Sequence, residues 1–299
     1  MTKYLLHQII NDIESIGCKV LACTMDQAGG NEGLQSSLSV TVTKPWFANP
    51  FDPSRKIFFL FDYVHVFKNT RNHTLDKTIT LEDGTVLAPK KHFKQLQQFC
   101  RSNEISAGSY LKDILLDCQS SDRQTTSYAV KLLSTVTADL LRKYFPNDSK
   151  KMKLALICDI LAKGFKVLTS CHEHDTDPYK CPLGVHYDLQ IEALNDLMNF
   201  YEAVQFTGGR IKFQRGGLIT TRATIWLHKC LRDSYHVMHL LVERVNQDYV
   251  ESFFSIMREM GGHNPNPTAL ELIFKLQRHI TSTILDVKSY LDSQDNNYF

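Results

Sequence analysis

Val245-Asn-Gln-Asp-Tyr-Val-Glu-Ser-Phe-Phe-Ser-Ile-Met-Arg258 sets two carboxylates, Asp248 and Glu251, three residues apart at the head of a helical pattern. Val250, Phe253, Phe254 and Met257 recur at helical spacing, which predicts a buried face. An offset of three puts both acids on neighbouring positions of one helix surface. Two readings stay open for the pair. Asp248 suits a helix N-terminus, so capping accounts for it. Paired carboxylates also suit a catalytic or metal-binding role.

Composition bounds the rest. The chain has 299 residues, enough for one large domain or two ordinary ones, and a hydrophobic fraction of 43% supports a core. The net charge of +2 gives no global field toward nucleic acid, so any basic surface is local. Eight scattered cysteines, with an opening stretch that reads as an amphipathic helix rather than a signal peptide, fit a reducing compartment, nucleus or cytosol. No apolar run is long enough to span a membrane.

Working outward from the acid pair, Leu5, Leu6, Ile9, Ile10, Ile13 and Ile16 predict a helix that Gly17 ends. Residues 18–25 read as a buried strand ending at Asp26, and 27–33 as a turn. An acid at the carboxyl end of a buried strand is a common functional position, but it also caps turns. Residues 44–53 read as a proline-broken linker. Residues 56–61 form a second buried strand, ending at Asp62. His65, Lys68, Asn69, Arg71 and Asn72 follow at a helix start, and residues 75–92 suggest a hairpin. From Phe93 to Met238 the pattern is helical, with periodic stretches near 132–140, 154–165, 189–200 and 225–231. Cys171-His-Glu-His174, with Cys181 and His186, has zinc-ligand types without paired Cys-x-x-Cys spacing, so a polar surface loop is preferred. Residues 261–267 read as a rigid turn, 270–280 as a last helix and 293–299 as a frayed tail.

Two strand-terminal acids, Asp26 and Asp62, and the helical pair Asp248/Glu251 are hard oxygen ligands from distant parts of the chain. That is the donor set of Mg²⁺-dependent phosphoryl chemistry, which usually takes three or more carboxylates.

The same residues carry a resemblance. Val245–Arg258, followed by Gly261-Gly-His-Asn-Pro-Asn-Pro-Thr268, resembles the signature of P-element-type transposases and their THAP-domain relatives. Asp26-Gln-Ala-Gly-Gly-Asn31 resembles that family's Asp-x4-Asn turn. Phe61-Asp-Tyr-Val-His-Val-Phe-Lys-Asn-Thr-Arg-Asn72 resembles its Asp-x-x-His-x-x-Lys-x-x-Arg-Asn block. Gln214-Arg-Gly-Gly-Leu-Ile-Thr220 resembles the segment before its last catalytic helix. The resemblance implies an α/β fold, mostly α by content. A partial ribonuclease-H-like core at 1–80 and 241–299 is interrupted by a large α-helical, GTP-binding-type insertion at 81–240. It implies DNA cleavage and strand transfer at transposon ends in the nucleus, with Mg²⁺ as cofactor and a homo-oligomer as an expected state. Asp26 matches the family's second acid and Glu251 its third, with Asp248 beside it. Asp62 becomes structural.

The departures carry expectations too. The family's first acid and opening strands have no counterpart here, so the chain alone is expected to be inactive; the alternative is a domesticated, non-catalytic DNA- or protein-binding module. Phe165-Lys-Val-Leu-Thr169 stands where the family reads Phe-Asp-x-x-Asn. Lys166 has only donors where guanine needs an acceptor, so with Thr169 it forms a degenerate guanine site and GTP selectivity is expected to be weak.

Overall fold

A computed structural model gives the fold. It describes residues 1–295 except Arg210, Gly261, His263 and Pro265, and the side chains only as far as residue 283. In chain order the elements are α1 (Lys3–Ser15), β1 (Ala22–Met25), α2 (Gly29–Ser37), β2 (Trp46–Ala48), β3 (Lys56–Phe61), α3 (Tyr63–Asp76), β4 (Ile79–Thr80), β5 (Val86–Leu87), α4 (Pro89–Ser102), α5 (Asp113–Leu116), α6 (Thr126–Leu132), α7 (Thr135–Tyr144), α8 (Ser149–Leu168), α9 (Tyr187–Ala203), β6 (Gln205–Phe206), α10 (Lys212–Tyr235), α11 (Asp248–Glu259) and α12 (Ala269–Asp295). The chain is mostly helical, with two small sheets. It divides into two compact units, Met1–Asn246 and the segment from Gln247 onward.

In the larger unit β3 is the central strand, and its sequence shows why. Ile57 to Phe61 are all apolar and all buried. They alternate sides: Ile57, Phe59 and Phe61 enter the main core, while Phe58 and Leu60 pack with Ala223 and Leu227 of α10. A strand covered on both faces must read as a continuous apolar run. β1 lies parallel to β3 with Met25 opposite Phe61, and β2 lies antiparallel with Trp46 opposite Phe58. β1 has no strand partner on its other edge among the described residues.

Three expectations need correction. The first strand is shorter than 18–25 because β3 begins only at Lys56. Carried back from Ala22↔Phe58, the register leaves residues 18 and 19 with nothing to pair with. The stretch read as a turn at 27–33 opens α2, despite its glycines. The Ala28 carbonyl accepts from the Asn31 and Glu32 amides, and Leu34 is buried. The proline-broken linker contains edge strand β2. Pro45 fits there because it accepts from the Phe59 amide through its carbonyl and needs no N–H.

The hairpin expected at 75–92 is shorter: β4 and β5 pair around Gly84, whose φ of 78° is a left-handed turn value, while residues 75–76 end α3 and 89–92 open α4. Strand β6 adds to β4 from across the sequence. Three of the helical periodicities correspond to α8, α9 and α10; the stretch near 132–140 is instead divided, Leu132 ending α6 and Val136 and Leu140 lying on α7 beyond the break at Leu133 and Ser134. Residues 170–186 connect α8 to α9 irregularly, with Cys171 exposed and Cys181 buried.

In the smaller unit Thr268 and Glu271 form a reciprocal capping box at the start of α12. Of the apolar face expected on α11 only Met257 is buried, while Val250 and Phe254 are exposed. A pair of helices has too little surface to enclose a whole apolar stripe. Helix α12 extends through Asp295, so the first part of the expected frayed tail is helical; residues 296–299 lie outside the described residues, as do Gly261, His263 and Pro265 of the rigid turn.

Candidate functional site

Asp26 stands one residue past the end of β1, and Asp62 one past the end of β3. Because the strands are parallel and in register, the two acids lie side by side at the carboxyl edge of the sheet. Their surroundings differ. Asp62 is buried, caps α3 through the His65 amide at 3.4 Å, pairs with the His65 ring, and donates its own amide to the Met25 carbonyl at 2.8 Å. It ties strand to helix, the structural role expected of it. Asp26 is half-buried. Its Oδ1 accepts from the Ala28 amide at 3.0 Å and from Asn31 Nδ2 at 2.6 Å, while Oδ2 has no hydrogen-bond partner among the described residues. One oxygen is held and the other presented, an arrangement that suits a ligand oxygen.

The Asp-x4-Asn spacing now has a cause. Asn31 sits in the first turn of α2, which brings its amide back over the strand end. The other motifs buttress the same edge. Thr220 on α10 accepts from the Phe61 amide at 2.7 Å and donates to the Phe61 carbonyl at 2.8 Å, fixing the residue before Asp62. Gln27 donates to the Lys212 carbonyl at 3.2 Å, and Gly216 leaves room for its side chain. Gln214 closes the start of α10, accepting from the Ile211 amide and donating to the Tyr201 and Val204 carbonyls. Arg71, wholly buried on α3, donates to Cys118 and to the Asp122 and Arg123 carbonyls. Sequence reasoning singled out these blocks but not what they hold. The three-residue spacing of 62, 65, 68 and 71 was the available signal, since it marks one face of a helix.

Glu251 and Asp248 both lie in the first turn of α11, in the smaller unit. Asp248 is its first residue and half-buried, inside the helix rather than at the N-cap, which is Gln247 and makes no side-chain cap bond; Asp248 therefore suits the helix dipole but is not the cap expected of it, and Glu251 is exposed. The carboxylates named so far have the donor chemistry of Mg²⁺. Among the described residues, however, no three His, Cys, Asp or Glu side chains gather into a metal cage, and the Cys171–His186 segment forms none.

At the expected guanine position, the Lys166 ammonium pairs with Asp177 at 2.8 Å. Burial pushes the Asp177 carboxyl up, but Lys166 and the Tyr179 amide outweigh it, leaving its pKa below the ordinary value. Thr169 ends α8 and donates back to the Phe165 carbonyl at 2.7 Å. The Phe165 ring packs against that of Phe67, ring centres 4.3 Å apart and planes tilted by 31°. Lys166 offers no acceptor to a guanine edge.

With this geometry in view, the profile of the family described as "TNP-like, RNase H C-terminal domain" matches residues 244–275, the segment holding Asp248 and Glu251. The Transposable element P transposase of Drosophila melanogaster is 27% identical over 285 residues, 92% of this chain. This chain is a homologue of P-element transposase. The solved structure of the Drosophila P element transposase strand transfer complex superposes with a TM-score of 0.86 at 26% identity, over 94% of this chain. The homologue spans 37% of the curated relative and 64% of the chain in the solved complex. The mostly helical fold with small sheets, expected from the transposase motifs, agrees with that superposition.

Proposed function

We propose that this P-element transposase homologue carries part of a site for Mg²⁺-dependent cleavage and strand transfer of transposon-end DNA. The observation that carries the reading is Asp26, one carboxylate oxygen fixed by Asn31 and Ala28 and the other left for a ligand. Asp26 and Glu251 would hold the metal, Asp248 would set the start of the catalytic helix, and residues 81–240 would be the inserted segment. When bound, Mg²⁺ supplies Lewis-acid stabilisation of charge on phosphoryl oxygens. Self-association and a nuclear site of action belong to the same proposal, on the family resemblance.

The described residues gather fewer than three metal-binding side chains, which favours weak metal binding and no turnover by the 299-residue chain alone. A second reading, a DNA- or protein-binding role without catalysis, draws on the same observation. Calorimetry with Mg²⁺ and a strand-transfer assay on transposon-end DNA test both. The expected result is weak Mg²⁺ binding abolished by Asp26→Asn, with no strand transfer. Binding unaffected by Asp26→Asn sinks the metal assignment, and robust transfer abolished by Glu251→Gln overturns the inactive reading.

We propose further that the chain does not select guanine, because position 166 donates and is engaged by Asp177. Micromolar, guanine-specific binding of GTP by this chain would refute that.

A further inference from the structure

At the other end of the sheet from Asp26 lies a cavity of about 620 Å³. It opens beside the start of β3 and the last turns of α10. Leu21 and Phe58 give its lining apolar surface and Trp226 and Tyr235 aromatic rings, and Lys56 and Lys229, both exposed, line it too. Trp226 is 37% exposed, unusual for so large an apolar side chain with no ring contact to another aromatic among the described residues.

The charges are unequal. Arg55 is neutralised by Glu14 and Asp52, and Asp233 by Arg232. Lys56 and Lys229 form no ion pair among the described residues, and their two charges exceed the single negative charge left where Arg55 meets both Glu14 and Asp52, so these groups together are net positive. The same pairing of cation and ring continues outward. Lys56 and Lys44 lie over Trp46, at 4.6 and 4.8 Å from the ring centre, and Lys19 lies over Tyr235 at 5.2 Å. The result is a track of four lysines and three aromatic rings with an apolar pocket in its middle, on one compact unit.

An apolar lining beside an exposed indole suits a planar base, and exposed ammonium groups beside it suit the adjoining phosphates. We infer that this track binds single-stranded nucleic acid, with one base stacked on Trp226 and the adjoining phosphates on Lys56 and Lys229. The continuation of the track through Trp46 and Lys44 is what selects a strand over a lone nucleotide, since a pocket for one nucleotide needs no flanking cations. The site lies at the other end of the sheet from Asp26 and uses none of the proposed metal carboxylates, so failure of the metal reading leaves it standing.

The test is anisotropy of a labelled short oligothymidylate with the full chain, repeated over a salt series. Binding should weaken as salt rises. Trp226→Ala should lower affinity about fivefold to a hundredfold. Lys229→Glu and Lys56→Glu, both at exposed positions, should each lower affinity and shallow the salt slope by about one. Lys131→Glu, on the exposed face of α6, should change the affinity no more than its one unit of net charge does at every site. Thymidine monophosphate should bind far more weakly than the strand. No salt-dependent binding, equal binding by Lys229→Glu and wild type, or a monophosphate as tight as the strand would each overturn the inference.

Discussion

Adjacent glycines on α10 offer a controlled comparison. Gly216 and Gly217 occupy one helical stretch, so alanine at either gains the same helix propensity, about 1 kcal/mol. What a new Cβ meets differs. At 216 it runs into the Gln27 side chain, with Cδ at 2.7 Å. That side chain can swing away at the cost of one exposed hydrogen bond to Lys212. At 217 it meets the Tyr201 ring at 2.5, 2.8 and 3.0 Å. Tyr201 is wholly buried, and its hydroxyl is held by Tyr63 at 3.2 Å and Thr70 at 3.1 Å. The ring cannot recede without breaking core contacts, and such overpacking costs about 1–3 kcal/mol. Because the propensity gain cancels, the gap between the variants isolates that cost. Urea unfolding followed by circular dichroism should place the Gly217→Ala midpoint roughly 0.5–1.5 M below that of Gly216→Ala. Coincident midpoints, with both proteins folded, would refute the packing assigned to Tyr201.

Three further expectations come from the same unit. Thr220→Val should lose about 1–3 kcal/mol, since it leaves the Phe61 amide and carbonyl without the hydroxyl that serves both; Thr220→Ser should recover most of it in a thermal melt, and equal losses for Val and Ser would be a failure. The Arg55 guanidinium, helped by the Val20 amide and Asn49 against the cost of burial, holds the Glu14 carboxyl down at about 2 from 4.5. A depressed folded pKa stabilises above the unfolded value, so this contribution is complete above about pH 4.5 and is lost as pH falls through about 2; Glu14→Gln should flatten the acid limb of a stability profile over that window. Thiol labelling should modify the exposed Cys18 first and the exposed Cys171 after it, because partial burial and Glu243 raise the Cys171 thiol. Burial raises the Cys158 thiol and pushes Cys23 up to about 11, so both should react slowly in the native protein, and rapid labelling of Cys158 would contradict its burial.

Local chemistry explains which parts of the fold were legible. The run Ile57–Phe61 announced a central strand because burial on both faces removes every polar requirement from it. Helices α8 to α10 showed through their periodicity, whereas the stretch near 132–140 did not reveal the break between α6 and α7. Elements fixed by contacts far along the chain did not show. β2 is three residues long and exists because β3 offers it an edge, and β6 finds β4 from over a hundred residues away. α2 hid behind glycines, which carry a helix penalty of about 1 kcal/mol each; the buried Leu34 and Leu38 offset it only once the sheet is in place.

The site shows the converse limit. Motif spacing identified Asp26 and Asp62 alike, as acids ending buried strands, and geometry separates them. Asp62 spends its carboxylate on His65 and the start of α3, whereas Asp26 is gripped by one oxygen only. That difference depends on Asn31 being carried back by a helix the local sequence argues against. A carboxylate fixed through one oxygen keeps its orientation while the other stays available, which is what a metal ligand needs before any metal arrives. Asn31→Leu should therefore leave the fold of the larger unit intact and loosen Asp26. The same change at a purely structural turn would alter stability without touching Mg²⁺ binding. Calorimetry and melting of the one variant separate the two: unchanged metal binding with a lowered melting temperature would return Asp26 to the role of a turn cap.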